Sequence, residues 1–269
     1  MLKPITAHVL VHQSEWCESN TIVVQGDSGV LLIDPGIHGY ELGELASDLS
    51  GSGHAILAGF STHPHWDHML WDPDFGTAPR LATARAASTA RERLAGGIDA
   101  RRLGIPEDVP LELLGKISGL PDGATQIPWD GPTVRIIEHQ AHSPGHAALV
   151  VEEDGVLVAG DMLSDVFIPM LDLMGAADPI EDYLTTLRLF EGVASSITFV
   201  VPGHGSVGST DQLRERIEQD RAYVLALRDG RDPGDPRIGP HAKPGWEFVA
   251  DVHTRQVARL AQLRDGTQS

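Results

Sequence analysis

A single cysteine, Cys17, in 269 residues excludes an intramolecular disulfide framework and gives no reason to expect an oxidising compartment. No run approaches the roughly 20 apolar residues needed to span a bilayer. The opening stretch MLKPITAHVLVHQ lacks the apolar centre and small-residue cleavage site of a secretory leader and runs straight into a strand-like segment. The expectation is a cytoplasmic protein without membrane contact. Lysine is scarce, three against seventeen arginines, and acids outnumber bases 38 to 20, for a formal charge of −18. Such a surface repels phosphate backbones, so a nucleic-acid partner is not expected. What is present, 41% hydrophobic and 22% charged residues, suffices for a sizeable core and argues against disorder over most of the length.

Short runs rich in β-branched residues predict strands at 7–13, 21–25, 30–34 and 55–60, with a helix over 39–49 where Leu42, Leu45 and Leu49 fall at helical spacing. Residues 84–125 read as a helical insertion, broken at Gly96-Gly97, Gly104 and Pro106, that could cover a site. Strand signals resume at 133–139, 147–153 and 155–161, the last two joined by a tight Asp154-Gly155 turn, followed by a helix at 179–191 and a strand at 197–204. From about 210 to 264 the chain reads as helical, with Ser209 or Thr210 as a cap, a Gly/Pro/Asp loop at 228–240 and a final amphipathic helix at 246–264. We read one domain over 1–269, with sheet packed on sheet and helices outside. A homodimer is the default expectation for its assembly.

The segment STHPHWDHMLW places His63, His65, Asp67 and His68 within six positions just past a buried-looking strand. Folding needs do not explain that density. Imidazole and carboxylate are good ligands for zinc and its neighbours, and histidines alternating past a strand end can turn toward one point. Three further candidates sit where an apolar strand meets a Gly/Pro turn: His146 in AHSPGHAAL, Asp161 in VLVAGDML and His204 in VVPGHGSV. His142, four residues before His146, stays open between a supporting place near the site and an ordinary turn histidine. His8, His12, His38, His54, His139, His241 and His253 match no motif.

On these residues the sequence resembles the metallo-β-lactamase superfamily, over roughly residues 7–210. The order H-x-H-x-D-H, then H, D and H is matched by His63, His65, Asp67, His68, His146, Asp161 and His204. The resemblance implies an α/β fold, the four-layer αββα sandwich, with the site at one edge between the sheets. It implies two divalent metal ions, zinc first with iron or manganese as alternatives. One would be held by His63, His65 and His146 and the other by Asp67, His68 and His204, with Asp161 bridging. Asp34 matches a position that supports the site by orienting a ligating imidazole. Two close cations lower the pKa of a bound water toward about 7, so the implied reaction is hydroxide attack on a carbonyl or phosphoryl centre, with Asp67 or Asp161 as candidate catalytic proton donors.

Within that resemblance, the bridging Asp161 and the distance of Cys17 from any ligand motif point away from β-lactam hydrolysis and toward thioesterases and lactonases. The expected substrate is a small thioester, lactone or ester. The family continuation Asp-His-x-Gly-Gly is absent, and Met69-Leu70-Trp71-Asp72 stands in its place. Trp66, Trp71 and Phe75 could line an apolar pocket or pack in the core, and the apolar segment 166–175 could form an opposite wall. The arginines of 85–102 are expected to form a solvated helix face rather than an anion-binding strip. Two other classes compete: a mononuclear iron, persulfide dioxygenase-like enzyme, separable by metal count and oxygen uptake, and a non-catalytic metal-binding module, against which the full ligand set argues.

Overall fold

The computed structural model describes residues 2–266. Strands β1 (Lys3–Pro4), β2 (Val9–Gln13), β3 (Asn20–Gln25) and β4 (Val30–Ile33) form an antiparallel run. Helix α1 (Gly39–Gly51) then carries the chain over to β5 (Ile56–Phe60), which pairs with β4 in parallel. Strand β6 (Arg80–Ala82), helices α2 (Ala84–Leu94) and α3 (Ala100–Leu103) and strand β7 (Ser118–Gly119) complete a seven-stranded sheet in the order β1 to β7. The segment 84–125, read as a helical insertion of short helices, thus also contains a short strand that extends this sheet.

The second half begins with β8 (Val134–His139), β9 (His146–Val151) and β10 (Val156–Gly160), an antiparallel meander. Helix α4 (Pro179–Val193) crosses over to β11 (Phe199–Pro202), which pairs with β10 in parallel. Strand β12 (Gly208–Ser209) closes a five-stranded sheet. Helices α5 (Thr210–Asp229) and α6 (Val249–Gly266) follow. Ser209 caps α5: its side chain accepts from Gln212 N while the Gln212 side chain accepts from Ser209 N, a reciprocal capping pair.

Side-chain alternation sorts each strand between two cores. Ile22 and Val24 of β3 and Ile33 of β4 meet Leu149, Val151, Val156 and Val158 of the other sheet in an inter-sheet core, while Val23 and Leu32 turn outward onto Leu42, Leu45 and Leu49 of α1. On the far side, Ala148, Val150 and Leu157 pack under Leu187 and Phe190 of α4 and Leu213 and Val224 of α5. The result is four layers, helix, sheet, sheet and helix, the α/β sandwich that the resemblance implied. Both faces of the central strands are covered, which is why β9 and β10 read as continuous apolar runs. Each fully buried Val, Leu or Ile contributes roughly 1.5–3 kcal/mol. No helix of the described residues is long and apolar enough to cross a membrane.

The parallel pairs decide where chemistry can sit. Functional groups in open sheets gather beyond the carboxyl ends of parallel strands, and here the residues following β4, β5, β10 and β11 are Asp34, His63 to His68, Asp161 and His204.

Candidate metal centre

Seven side chains converge at that edge. The ligand-capable atoms of His63, His65, His142 and Asp161 lie within 4.8 Å of one another, and those of Asp67, His68 and His204 form a second such group. His65, His142, Asp67 and His204 border a cavity of about 610 Å³. A larger cavity of about 720 Å³ beside α5 and α6 touches none of the clustered residues.

The histidines are oriented from behind. Thr62 Oγ1 donates to Asp34 Oδ2 at 2.5 Å and stands 3.0 Å from His63 Nδ1, so it accepts the His63 proton. His68 Nδ1 donates to Asp34 Oδ2 at 2.9 Å, His142 Nδ1 to the Met170 carbonyl at 2.8 Å, and His204 Nδ1 to the Cys17 carbonyl at 2.9 Å. These partners assign the protons and leave four Nε2 lone pairs facing inward. Asp34 also accepts from Thr62 N at 2.7 Å, and so braces both the loop backbone and His68.

The inward atoms fit cations. His63 Nε2, His65 Nδ1 and His142 Nε2 lie in series at 3.0 Å spacings, three nitrogens that neutral imidazoles cannot all satisfy by hydrogen bonds among themselves. Among the described residues, His68 Nε2 and Asp161 Oδ1, 3.1 Å apart, are buried without a well-formed hydrogen bond. Burial holds the His63 imidazole down to about 4 and pushes His65 and His142 down as well, which keeps them neutral, the form that ligates. Burial also disfavours an ionised Asp161, yet His68, His204 and His63 outweigh it and hold its carboxyl well below the usual range. Burial likewise opposes charge on His68, and Asp161, Asp67 and Asp34 overcome it. A buried carboxylate pair that draws this much positive charge from its neighbours is a site built for cations.

His146 is the exception among the sequence candidates. It opens β9 opposite His139 and shares a strand face with Ala148 and Val150, toward the core under α4. Its Nε2 lies 2.0 Å from where a Cβ on residue 160 would stand, so the ring occupies space that only Gly160 leaves open. It packs against the back of His63, ring centroids 4.7 Å apart, and stands outside both convergent groups. Among the described residues it is His142, following β8 in the loop, whose ligand-capable atom lies with those of His63, His65 and Asp161, while both ring nitrogens of His146 are buried without a hydrogen-bond partner.

His139 and His146 face each other at 4.4 Å in this core. Burial, with nearby histidines, pushes His139 down to about 3 from an ordinary 6.5. The unfolded chain therefore binds more protons than the folded one between these values, so stability present above pH 6.5 is lost as pH falls toward 3. Denaturant titrations of metal-free protein should show this acid-side loss, with a shallower slope in His139→Leu; equal slopes would count against it.

The aromatic expectations divide. Trp66 borders the cavity, whereas Trp71 and Phe75 are buried against α1, with the Trp71 ring seated over Gly59, where a Cβ would meet it at 2.4 Å. Trp16, not singled out from the sequence, stacks edge-on to Trp66 at 4.9 Å, and Phe167 and Met170 of the 166–175 segment supply the opposite wall.

Comparisons with known proteins point to one family. The sequence profile of the Metallo-beta-lactamase superfamily matches residues 14–225. A "Probable metallo-hydrolase" from Streptococcus pyogenes serotype M6 is 27% identical over 199 residues, 69% of this chain and 78% of that protein. Among solved structures, a metallo-beta-lactamase family protein from Thermus thermophilus superposes with a TM-score of 0.62 at 24% identity, covering 83% of this chain and 80% of that one. A protein crystallised in a di-iron-bound form gives 0.56 at 24% identity, over 77% of this chain and 97% of its own. With a profile match running from the β2–β3 turn into α5 and the convergent His/Asp groups at the expected sheet edge, the chain belongs to the metallo-beta-lactamase superfamily.

Proposed function

We propose that this chain, a metal-dependent hydrolase of its superfamily, works with two divalent cations and cleaves a thioester, lactone or ester of a small organic molecule. One ion would be held by His63, His65 and His142, the other by Asp67, His68 and His204, and both by Asp161. A single observation carries the dinuclear reading. Asp161 divides its oxygens between the groups: Oδ2 lies 3.6 Å from His63 Nε2 and 3.5 Å from His142 Nε2, while Oδ1 lies 3.1 Å from His68 Nε2 and 3.6 Å from His204 Nε2.

Two cations bound there would supply a water acidified to near-neutral pKa and polarisation of the electrophile. The chain's own residues do the remainder. Asp67 and Asp161 border the cavity and belong to the convergent groups, which makes them the proposed carboxylates for protonating a leaving group. Trp16, Trp66, Phe167 and Met170 form apolar walls that exclude bulk water and suit an organic substrate. Zinc is the proposed metal, since the donor set is imidazole and carboxylate, with iron and manganese as alternatives.

Elemental analysis of protein purified without added metal tests the reading. Near two zinc per chain, falling toward one or none in Asp161→Ala and His65→Ala, is the expected result, with His146→Ala retaining more metal than His142→Ala. One iron per chain with oxygen uptake on a persulfide would replace the hydrolytic reading, and no metal in any preparation would end it.

A further inference from the structure

The α2–α3 segment brings two arginines to the cavity. Arg93, in the last turn of α2, and Arg102, on α3, both border it, one on each side of the Gly97–Ile98 linker. Arg93 Nη1 donates to the Pro64 carbonyl at 3.1 Å, and its remaining donors are uncommitted among the described residues. Neither arginine has a carboxylate at salt-bridge distance among the described residues, whereas Arg135, Arg188, Arg216 and Arg221 do. Other acids stand near this rim. Asp172 pulls on Arg93 from farther off, and Asp99 has its Oδ1 engaged by Arg102 N at 3.1 Å as the cap of α3. Asp67 and Asp161 face the same cavity but belong to the convergent groups.

Between the arginines and those groups the wall is apolar, formed by Trp66, Met69, Leu94, Ile98 and Leu103. Leu103 is 50% exposed on this wall. In a chain of net charge −18, two guanidinium groups with no carboxylate at salt-bridge distance among the described residues stand at a cavity that Asp67, Asp99 and Asp161 also border. Arg91, Arg93, Arg101 and Arg102 are all exposed, as a solvated helix face expects, but only Arg93 and Arg102 also border the cavity.

We infer that the substrate has an apolar body and, at the end remote from the scissile bond, an oxyanion group that Arg93 and Arg102 receive. This rests on the hydrolytic reading for which bond is scissile, but not for the recognition itself. The guanidinium fork matches carboxylate and sulfate oxygens by paired donors, and such charge-assisted bonds select against a neutral analogue of equal shape. Arg102 is the cleaner specificity determinant, because Arg93 also holds the Pro64 carbonyl between His63 and His65 and so positions that loop.

Equilibrium dialysis with metal-loaded protein tests it, using phenylbutyrate, phenylbutyl sulfate and neutral phenylbutanol as probes against wild type, Arg102→Gln and the double variant Arg93→Gln/Arg102→Gln. At least one anion should bind wild type about tenfold or more tightly than the alcohol. That ratio should fall several-fold in Arg102→Gln and approach one in the double variant, with alcohol binding unchanged. Whichever anion is favoured identifies the oxyanion. A ratio that survives both substitutions places the anion at the cations and overturns the inference, as does equal binding of all three probes or binding of none. Metal content and hydrolysis of a neutral aryl ester by the same preparations report separately on the hydrolytic reading, so the two can fail independently.

Discussion

Arg237→Met should lower the unfolding free energy by about 3–5 kcal/mol, read from denaturant midpoints, because it leaves two buried carboxylates without their cation. Arg237 lies in the Gly/Pro/Asp loop between α5 and α6, with its side chain 3% exposed. It binds Asp220 Oδ1 at 2.7 Å and Asp235 Oδ2 at 2.7 Å, and donates to the carbonyls of Ser164 and Phe167 at 2.9 Å each. Burial already raises the Asp220 carboxyl even with Arg237 in place, and without it that group would take a proton instead. The loss should thus be smaller in an Asp220→Asn/Asp235→Asn background, where no charge is stranded. A cost below about 1 kcal/mol in the native background would show that water reaches these acids and that the network is not a buried one. The same loop carbonyls belong to the segment that follows Asp161, so Arg237→Met should also loosen the Phe167 wall.

Asp34→Ala should reduce metal affinity about 10- to 100-fold, the range seen when the group orienting a ligating histidine is removed. Asp34 sits at φ 48°, a left-handed conformation for a non-glycine residue, beside the parallel pair β4 and β5. Its carboxylate is the common acceptor for Thr62 N, Thr62 Oγ1 and His68 Nδ1. Each buried donor left without an acceptor costs about 1–3 kcal/mol, so a stability loss should accompany the metal loss. Competition against a chelator, followed ion by ion, would read the effect; the ion at His68 should leave first. Simultaneous and unweakened retention of both ions would show that Asp34 serves the backbone alone.

Much of this arrangement was legible because the chemistry is local in sequence. His63, His65, Asp67 and His68 occupy one loop after one strand, and Asp161 and His204 each follow an apolar run directly. The strands and long helices lie close to where alternation and helical spacing put them. The HSPGH segment was harder, because both of its histidines adjoin strands. His142 leaves β8 into the loop, the position the other site residues share, whereas His146 has already entered β9 and is committed by alternation to the core beneath α4. A strict reading of which strand delivers the residue would favour His142. Trp16 and the division of the arginines had no such signal. Trp16 reaches the cavity from the β2–β3 turn, and the roles of Arg93 and Arg102 depend on how two short helices fold over the opening. Trp71 and Phe75 were ambiguous for a related reason: sequence nearness to a site does not say which side of the sheet edge a ring will take.

Each convergent group draws residues from loops of both sheets: His63 and His65 with His142 and Asp161, and Asp67 and His68 with His204. On the proposed reading an ion in either group is a removable cross-link between the two halves of the chain, and its binding is linked to folding by mass action. An ion present at about 100 times its Kd adds about 2.7 kcal/mol to the folded state, and nothing to a chain whose ligands have scattered. The melting temperature of this protein would then rise with free metal concentration, and chelation would lower it without touching a single hydrophobic contact. In a cell short of the metal, the first consequence would be faster turnover of the protein itself, ahead of any shortage of its product.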